Sequence, residues 1–426
     1  MKVFKFGGAS VNSADAVRNM AHIVESHLGP EPLVVVVSAM GKTTNLLEKL
    51  VPWEAVGAEC SKEHGDLRHQ LEDYHMEIVR GLMPGDDEVV RLVGSLLQQL
   101  DATIASLQPT AERYNYNYDQ VVSFGELLST TIIAHYLNRQ GVSTRWVDAR
   151  QVIVTDAHHR EGRVDWEATR TACGRLADQA KGCQVALTQG FIAATADKKS
   201  TTLGREGSDY SAAILAYCLG AESVTIWKDV PGFLNADPKF FPDTVKINEI
   251  PYDEAIELAY YGASVIHPKT VKPLQNMGIP LYIRSFIDPA SKGSVIGNYR
   301  TISPETPLFI FRNDQILLSI YPRDYSFIAE DNLQVIFGML NELGIRVNLM
   351  QNSALSFSIC VDNRPQLVEL LVERLKSMFR VRYNENLQLV TIRYYTQEVI
   401  DRIVAGRPVL LEQRSRLTEQ VVVPLR

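Results

Sequence analysis

The run "PLVVVVSAMG" at residues 32–41 constrains the fold more than any other stretch of this chain. Four consecutive valines leave no polar side for water. The strand they form must therefore be buried on both faces, as strands of a parallel sheet are. The neighbouring segments fit that plan. "KVFKF" (2–6) alternates and then meets Gly7 and Gly8, which reads as a strand ending in a tight turn. Ser13 can cap a helix whose Val17, Met20, Val24 and Leu28 fall on one side. Helical segments follow to about Asn138, and "VSTRWVD", "CQVALTQGF" and "SVTIWKDV" supply further strands separated by helices. Strands alternating with helices predict an α/β domain over 1–294, with helices layered on a mostly parallel central sheet. Its ligand is expected outside the carboxyl ends of the strands.

From about Thr306 the pattern changes. Residues 306–384 read as βαββαβ, a small α+β unit of the ferredoxin-like kind. Residues 385–426 give only βαββ, the same unit cut short before its last helix and strand. Two related units in tandem on an α/β domain suggest regulation, and a dimerisation role would look the same.

At 426 residues, 46% hydrophobic and 22% charged, the composition is that of a soluble globular protein. The net charge of −7 argues against nucleic acid or an anionic membrane as a main partner. An anionic substrate would have to be captured by a local cluster of Lys and Arg, since the overall field repels it. The five cysteines (Cys60, Cys173, Cys183, Cys218 and Cys360) show no C-x-x-C spacing, so buried reduced thiols are expected, with no zinc ribbon or disulfide framework. "MKVFKFGGAS" has no apolar stretch typical of a signal peptide, and no run approaches the roughly 20 apolar residues of a membrane span. A cytoplasmic protein is expected.

Several turns at strand ends carry candidate chemistry. Lys5 beside Gly7 and Gly8 would let an ammonium and backbone amides converge on phosphate; a solvated lysine near a strand end looks the same. "SAMGKTT" (38–44) is no P-loop, because that motif needs glycine at position 36, where Val36 stands. It remains a strand–glycine–hydroxyl turn into a helix, capped by Thr43 or Thr44 and able to face an anion. Ser123 and Glu126 have capping-box spacing; the other reading of Glu126 is a carboxylate that holds a substrate ammonium. In "TTLGREGSDYSAA" (201–213), Ser208 can cap the helix and Asp209 can complement its dipole. Arg205 has no helix face to lie along, and its planar fork suits a carboxylate or phosphate. A helix terminus contributes only about 0.3–1 kcal/mol to holding an anion. Millimolar binding needs about 4 kcal/mol, so a working site requires these turns to converge. "IWKDVPGF" (226–233) ends a further strand, and Trp227 there could lie beside a nucleotide base or pack in a turn. His267-Pro268 reads as a helix start.

Taken together and in order, "KFGGAS", "VVSAMGKTTNLL", "SFGELLS", "TQGFI", "TTLGREGSDYSAA", "IWKDVPG", "ADPK" and "GASVIHPKT" resemble the aspartate kinases. These are enzymes of the amino acid kinase fold with tandem ACT domains at the C-terminus. The resemblance covers nearly the whole chain. It implies ATP-dependent phosphorylation of aspartate, ATP and Mg²⁺ as cofactors, and a homodimer or higher homo-oligomer assembled through ACT-like units at 306–384 and 385–426. It further implies that Lys5 neutralises the transferring phosphoryl group and that Asp209 orients the phosphates. Arg205, with Ser208 beside it, would hold the α-carboxylate and Glu126 the α-ammonium. Ser38 and Thr44 would line the pocket. Gly7, Gly8, Trp227, Lys228, Asp229, Lys239 and Lys269 would serve the nucleotide.

The chain departs from the family pattern at Glu206, where the family has glycine, and at Ser264, where many members carry an ATP-binding lysine. Lys228, in place of threonine, or Lys269 could substitute for that lysine. In the first ACT-like unit the effector turn reads "PRDYSFIAED", and the usual T-S-E reads Asn352-Ser353-Ala354. Weak or absent inhibition by lysine and threonine is expected from this. Two other readings stay open at this point: a kinase of glutamate or acetylglutamate, and a non-catalytic amino-acid sensor.

Overall fold

The valine run forms the strand Leu33–Val37, and all five of its residues are buried. It sits inside an eight-stranded sheet. Numbering only the strands of the two large sheets, this one consists of β1 (Lys2–Phe6), β2 (Leu33–Val37), β3 (Thr144–Val147), β4 (Val185–Gln189), β5 (Ser223–Lys228), β6 (Glu249–Pro251), β7 (Leu281–Ser285) and β8 (Ser294–Gly297). Their order is β6-β8-β7-β5-β1-β2-β4-β3. Every neighbouring pair is parallel except β7 with β8. The computed structural model describes all residues except 53–57, 242, 264, 325 and 426, and the side chains of 58–62 also fall outside the description. Position 264 of the family comparison thus lies outside the described residues.

Contacts divide the chain into two compact units. One comprises Met1–Phe233, Lys246–Ile256 and Val265–Ser303, and contains the parallel sheet. Side chains alternate along β1, so Phe4 and Phe6 face one side and Lys5 the other. Phe4, Phe6, Val35 and Val37 join the core formed with helices Ala14–Glu25 and Tyr114–Arg139. The opposite face receives the helix Gly207–Leu219, which packs on β1 and β2. Helices on both faces are what a strand of unbroken valine requires. Ser13 caps Ala14–Glu25 as expected, accepting from the Ala16 amide at 3.1 Å. Leu28 lies beyond that helix yet still packs against the same core.

The second unit comprises Leu234–Val245, Glu257–Ser264 and Pro304–Arg426. Its sheet has six strands, all antiparallel: β9 (Leu308–Pro322), β10 (Val347–Asn352), β11 (Phe357–Asp362), β12 (Phe379–Arg393), β13 (Leu411–Arg414) and β14 (Thr418–Pro424), in the order β10-β11-β9-β12-β14-β13. Helices Glu330–Glu342 and Pro365–Lys376 bury Ile336, Leu340, Leu371 and Leu375 against Ile316, Leu318, Ile320 and Ile359. A third helix, Gln397–Val404, sets Ile400 and Ile403 on Phe309, Val390 and Ile392.

Residue 384, where the sequence reading divides the two ACT-like segments, falls inside β12. The strand that the second segment lacks in its own chain order is supplied from upstream. Leu308–Arg312, the first part of β9, pairs with Leu389–Arg393 of β12.

Leu318 is fully buried between the sheet and its two helices. Leu318→Ala should lower stability by about 2–5 kcal/mol, the cost of a buried leucine cavity. Urea unfolding measures it, and a loss below about 1 kcal/mol would show that this face is not close-packed.

Candidate functional site

At the carboxyl ends of β1, β2 and β4 the first unit opens into a cleft of about 470 Å³. Its lining gathers Lys5, Ser38, Thr44, Glu126, Arg205, Ser208 and Asp209 from four separate stretches of sequence. The convergence that the binding arithmetic demands is present.

The centre is an ion chain. Lys5 is buried, so it is not a solvated strand-end lysine. Its Nζ lies 2.7 Å from Oδ1 of Asp209, while Nζ of Lys228 lies 3.3 Å from Oδ2 of the same carboxylate. Asp209 is fully buried. Burial alone would raise its pKa, but the ammonium groups of Lys5 and Lys228 outweigh burial and hold it below the usual carboxylate value. Lys228 also approaches Oε2 of Glu206 at 4.0 Å and donates to the Val265 carbonyl at 2.6 Å.

Glycines keep this wall thin. A Cβ on Gly8 would stand 2.7 Å from the Ala39 carbonyl oxygen, so the turn after β1 can lie against the turn after β2 only with glycine there. Gly7 does not line the cleft, but its Cβ would stand 3.3 Å from Lys5 Nζ. Gly207 opens the helix Gly207–Leu219 beside Phe191, where a Cβ would come within 2.6 Å of the ring.

Three local expectations are corrected. Ser208 is not the cap of its helix: the cap position is Glu206, in the left-handed region at φ 55°, with no side-chain cap bond. Ser208 instead sits inside the first turn and lines the cleft. A non-glycine residue in that conformation costs about 1–2 kcal/mol. Neither Thr43 nor Thr44 caps the helix Thr43–Glu48, whose cap residue is Lys42. Thr43 bonds back to the Met40 carbonyl at 2.6 Å, and Thr44 faces the cleft. Ser123 and Glu126 do not form a capping box, because both lie mid-helix in Tyr114–Arg139.

Glu126 points a buried carboxylate into the cleft. Its Oε1 accepts from the Ala39 amide at 3.2 Å, and Oε2 has no partner among the described residues. Burial pushes its pKa up to about 8 against the smaller opposing pull of the Ala39 amide and Lys5. Without a ligand, this group is mostly neutral at pH 7.

The remaining predicted residues scatter. Trp227 is fully buried, stacked on Phe6 with centroids 6.1 Å apart and edge-on to Phe4, so it packs the core instead of lying beside a base. Asp229 is exposed just past β5. Lys239 lies in the segment Leu234–Val245 of the second unit, its amide bonded to Asp237. Lys269 donates to the Leu203 carbonyl at 2.7 Å and sits over the Tyr210 ring, which ties down the 203–204 turn. His267 caps Pro268–Met277, as expected.

The sequence reading missed Tyr118, Arg160, Phe191 and Thr202, all of which line the cleft. Buried Asp119 holds two of them: it accepts from Thr202 Oγ1 at 2.7 Å, from the Arg160 amide at 3.0 Å and from His159 Nδ1 at 2.8 Å. The Arg160 guanidinium lies 4.1 Å over the Tyr118 ring. Arg205 is exposed on the cleft and has no ion partner among the described residues.

Among the cysteines, Cys173 and Cys360 are buried and Cys183 and Cys218 half-buried; these four are free thiols. No helix among the described residues is long and apolar enough to cross a membrane.

Residues 1–285 match the model of the amino acid kinase family. The chain is 31% identical over 401 residues to the lysine-sensitive aspartokinase 3 of Escherichia coli, covering 92% of this chain and 86% of that protein. It is likewise 31% identical to the chloroplastic aspartokinase 2 of Arabidopsis thaliana, over 88% of this chain and 69% of the relative. Among solved structures, E. coli aspartokinase III in complex with lysine and aspartate superposes with a TM-score of 0.83 at 28% identity, spanning all of this chain and 96% of that one. The same enzyme with aspartate and ADP gives 0.81. A cleft of paired lysines and a buried aspartate at strand ends, a family match over two thirds of the chain and likeness to the E. coli enzyme over 96% of its solved chain agree: the chain belongs to the amino acid kinase family and, within it, to the aspartokinases.

Proposed function

We propose that this chain transfers the γ-phosphoryl group of ATP to the β-carboxylate of L-aspartate, giving 4-phospho-L-aspartate, the first step of the aspartate-derived route to lysine, threonine and methionine. The observation that carries this reading is one cleft lined by buried Lys5, Asp209 and Glu126, with Lys228 on the far oxygen of Asp209 and Arg205 without an ion partner among the described residues. Two cations and thin glycine turns suit phosphate, an exposed guanidinium suits the α-carboxylate, and a buried carboxylate suits the α-ammonium. Neither a glutamate kinase nor a silent sensor is favoured by any of these contacts.

The roles follow from charge. A β-carboxylate is already an anion at neutral pH, so the nucleophile needs no base. A bond forms between its oxygen and the γ-phosphorus while the bond to the bridging oxygen breaks and ADP leaves. What opposes this is repulsion between two anions, and positioned cations offset it. Asp209 fixes Lys5 and Lys228 about one carboxylate, so both ammonium groups are oriented before substrate arrives. Gly8, with Gly7 beside Lys5, would let phosphate approach bare backbone. Mg²⁺ would enter with the nucleotide, its usual mode in such sites. Both oxygens of Asp209 are already held by ammonium groups, and the described residues contain no cluster of three acidic, histidine or cysteine ligands. We assign the segments 306–384 and 385–426 to ACT-like pairing between copies of the chain.

Three measurements test this reading. Lys5→Ala should reduce kcat by about 100-fold or more while leaving the aspartate KM within a few-fold, since the charge matters most in the transition state. A change confined to KM contradicts that role. Arg205→Ala should weaken aspartate recognition by about 2–3 kcal/mol, the worth of a charged hydrogen-bond pair; unaltered aspartate saturation removes the clamp. Glu126 gives a proton signature. Its raised pKa keeps it protonated in the free site at pH 7, and an ammonium arriving beside it favours the ionised form. Aspartate binding should therefore release about one proton near pH 7 and almost none above pH 9, where the group is already ionised. Calorimetry in buffers of different ionisation enthalpy reads this, and Glu126→Gln should abolish the release. Equal release by parent and variant would sink the assignment.

A further inference from the structure

The first unit holds a second and larger cavity, of about 920 Å³, on the other face of the sheet. Its floor is one row of the register: Phe4 on β1 stands opposite Thr225 on β5, which stands opposite Tyr282 on β7, which stands opposite Val295 on β8. Alternation puts Phe4 on the face away from Lys5, and no residue lines both cavities. The helix Ala14–Glu25 ends beside this row, and His27, just past it, forms one wall. A parallel sheet normally carries cover on both faces. Here cover is partial: Phe4 and Thr225 are buried at the base of the row, while Tyr282 and Val295 remain half-exposed to the cavity.

The rim is basic in a chain whose net charge is −7. Lys2, Lys246, Arg284 and Lys292 are set against only two carboxylates, Glu222 and Glu249. Lys2 is partnered by Glu222 at 4.0 Å. Lys246, Arg284 and Lys292 have no ion partner among the described residues. Arg284 is oriented toward the cavity by the core. Its guanidinium lies 5.4 Å over the Trp227 ring, its Nη1 is 3.4 Å from His27 Nε2, and its buried Nε has no partner among the described residues. Lys292 is exposed, and the backbone beside it is constrained. Gly293 turns at φ 69°, and a Cβ there would stand 2.1 Å from the Ile283 carbonyl oxygen, so this stretch can lie against β7 only with glycine.

A cavity of several hundred Å³ with an apolar floor and a few convergent polar groups has the dimensions of a small-molecule site. We propose that it is a second binding site, distinct from the phosphoryl-transfer cleft, for a small organic anion: a flat apolar body on the Phe4–Thr225–Tyr282–Val295 row, with a phosphate or carboxylate group among Arg284, Lys246 and Lys292. The guanidinium supplies a planar fork for that group, and with the two lysines it outnumbers Glu249, the lining carboxylate that Lys2 does not pair.

The test is direct binding to the full chain, which is independent of whether the chain phosphorylates aspartate. 1-Naphthyl phosphate serves as probe, titrated by calorimetry with saturating aspartate and ADP present to fill the other cleft. Saturable binding of about one probe per chain is expected, at least about tenfold tighter than inorganic phosphate, because the apolar floor adds to the charge. The double variant Lys246→Gln, Lys292→Gln changes one half-buried and one exposed side chain, neither in the core, and should weaken the probe by about tenfold or more while its thermal unfolding matches the parent. Arg284→Gln should weaken it further. Three results would overturn the proposal: no saturation at millimolar probe, displacement of the probe by aspartate and ADP, or equal affinity of parent and double variant. Equal binding of naphthyl phosphate and inorganic phosphate would reduce the cavity to a charged surface and also refute it.

Discussion

The buried carboxylate of Asp209, held between two ammonium groups, is the interaction on which the cleft depends. An isolated charge at that depth would be very costly, and it persists because Lys5 and Lys228 meet it from β1 and β5. The adjacent strands that carry them are parallel and in register, so Lys5 and Lys228 reach the same end of the sheet. Removing Asp209 would leave two ammonium groups, one buried and one half-buried, facing each other. Removing either lysine would leave a buried anion half-satisfied. The arrangement is fixed before any substrate arrives, and electrostatic catalysis needs that fixity.

Glu206 belongs to this account. It occupies a left-handed position that favours glycine, which carries a steric cost, but its carboxylate comes within 4.0 Å of the Lys228 ammonium. Lys228 thus has two acids within 4.0 Å and anchors on the Val265 carbonyl. Two features that look unrelated in sequence, an acid in a glycine turn and a lysine at the end of a strand, are neighbours in space. Each makes the other's charge less costly to hold.

The layered fold was legible because its signals are redundant: an unbroken valine strand, glycine turns at strand ends, and apolar faces at helical spacing. The site was legible where charge and turn chemistry coincide, as at Lys5, Arg205 and Asp209. It was misread where local spacing has two meanings. Ser123 and Glu126 are three apart, which is capping-box spacing and equally one turn of any helix interior; only the burial of Tyr114–Arg139 on nearly all sides decides between them. Trp227 was misassigned because a strand-end tryptophan can face a ligand or a core, and Phe4 and Phe6 next door already make the core aromatic. Arg160 and Tyr118 were invisible because they carry no motif. Asp119, buried in the helix Tyr114–Arg139, places Arg160 through its backbone amide, and no sequence pattern reports such a link.

In the second unit, β9 and β12 are each 15 residues long and pair along almost their whole length, interrupted only by irregularities between Arg312 and Leu317. The upper part of this ladder lies in the packing of Ile400 and Ile403, the lower part in that of Leu371 and Leu375. The two helix-covered parts of this sheet therefore share a single backbone girder. Sliding one part along the other would break a whole row of interstrand hydrogen bonds at once. Whatever tilts or twists one end of the girder is carried mechanically to the other, with the irregular stretch at 312–317 as the point where bending costs least.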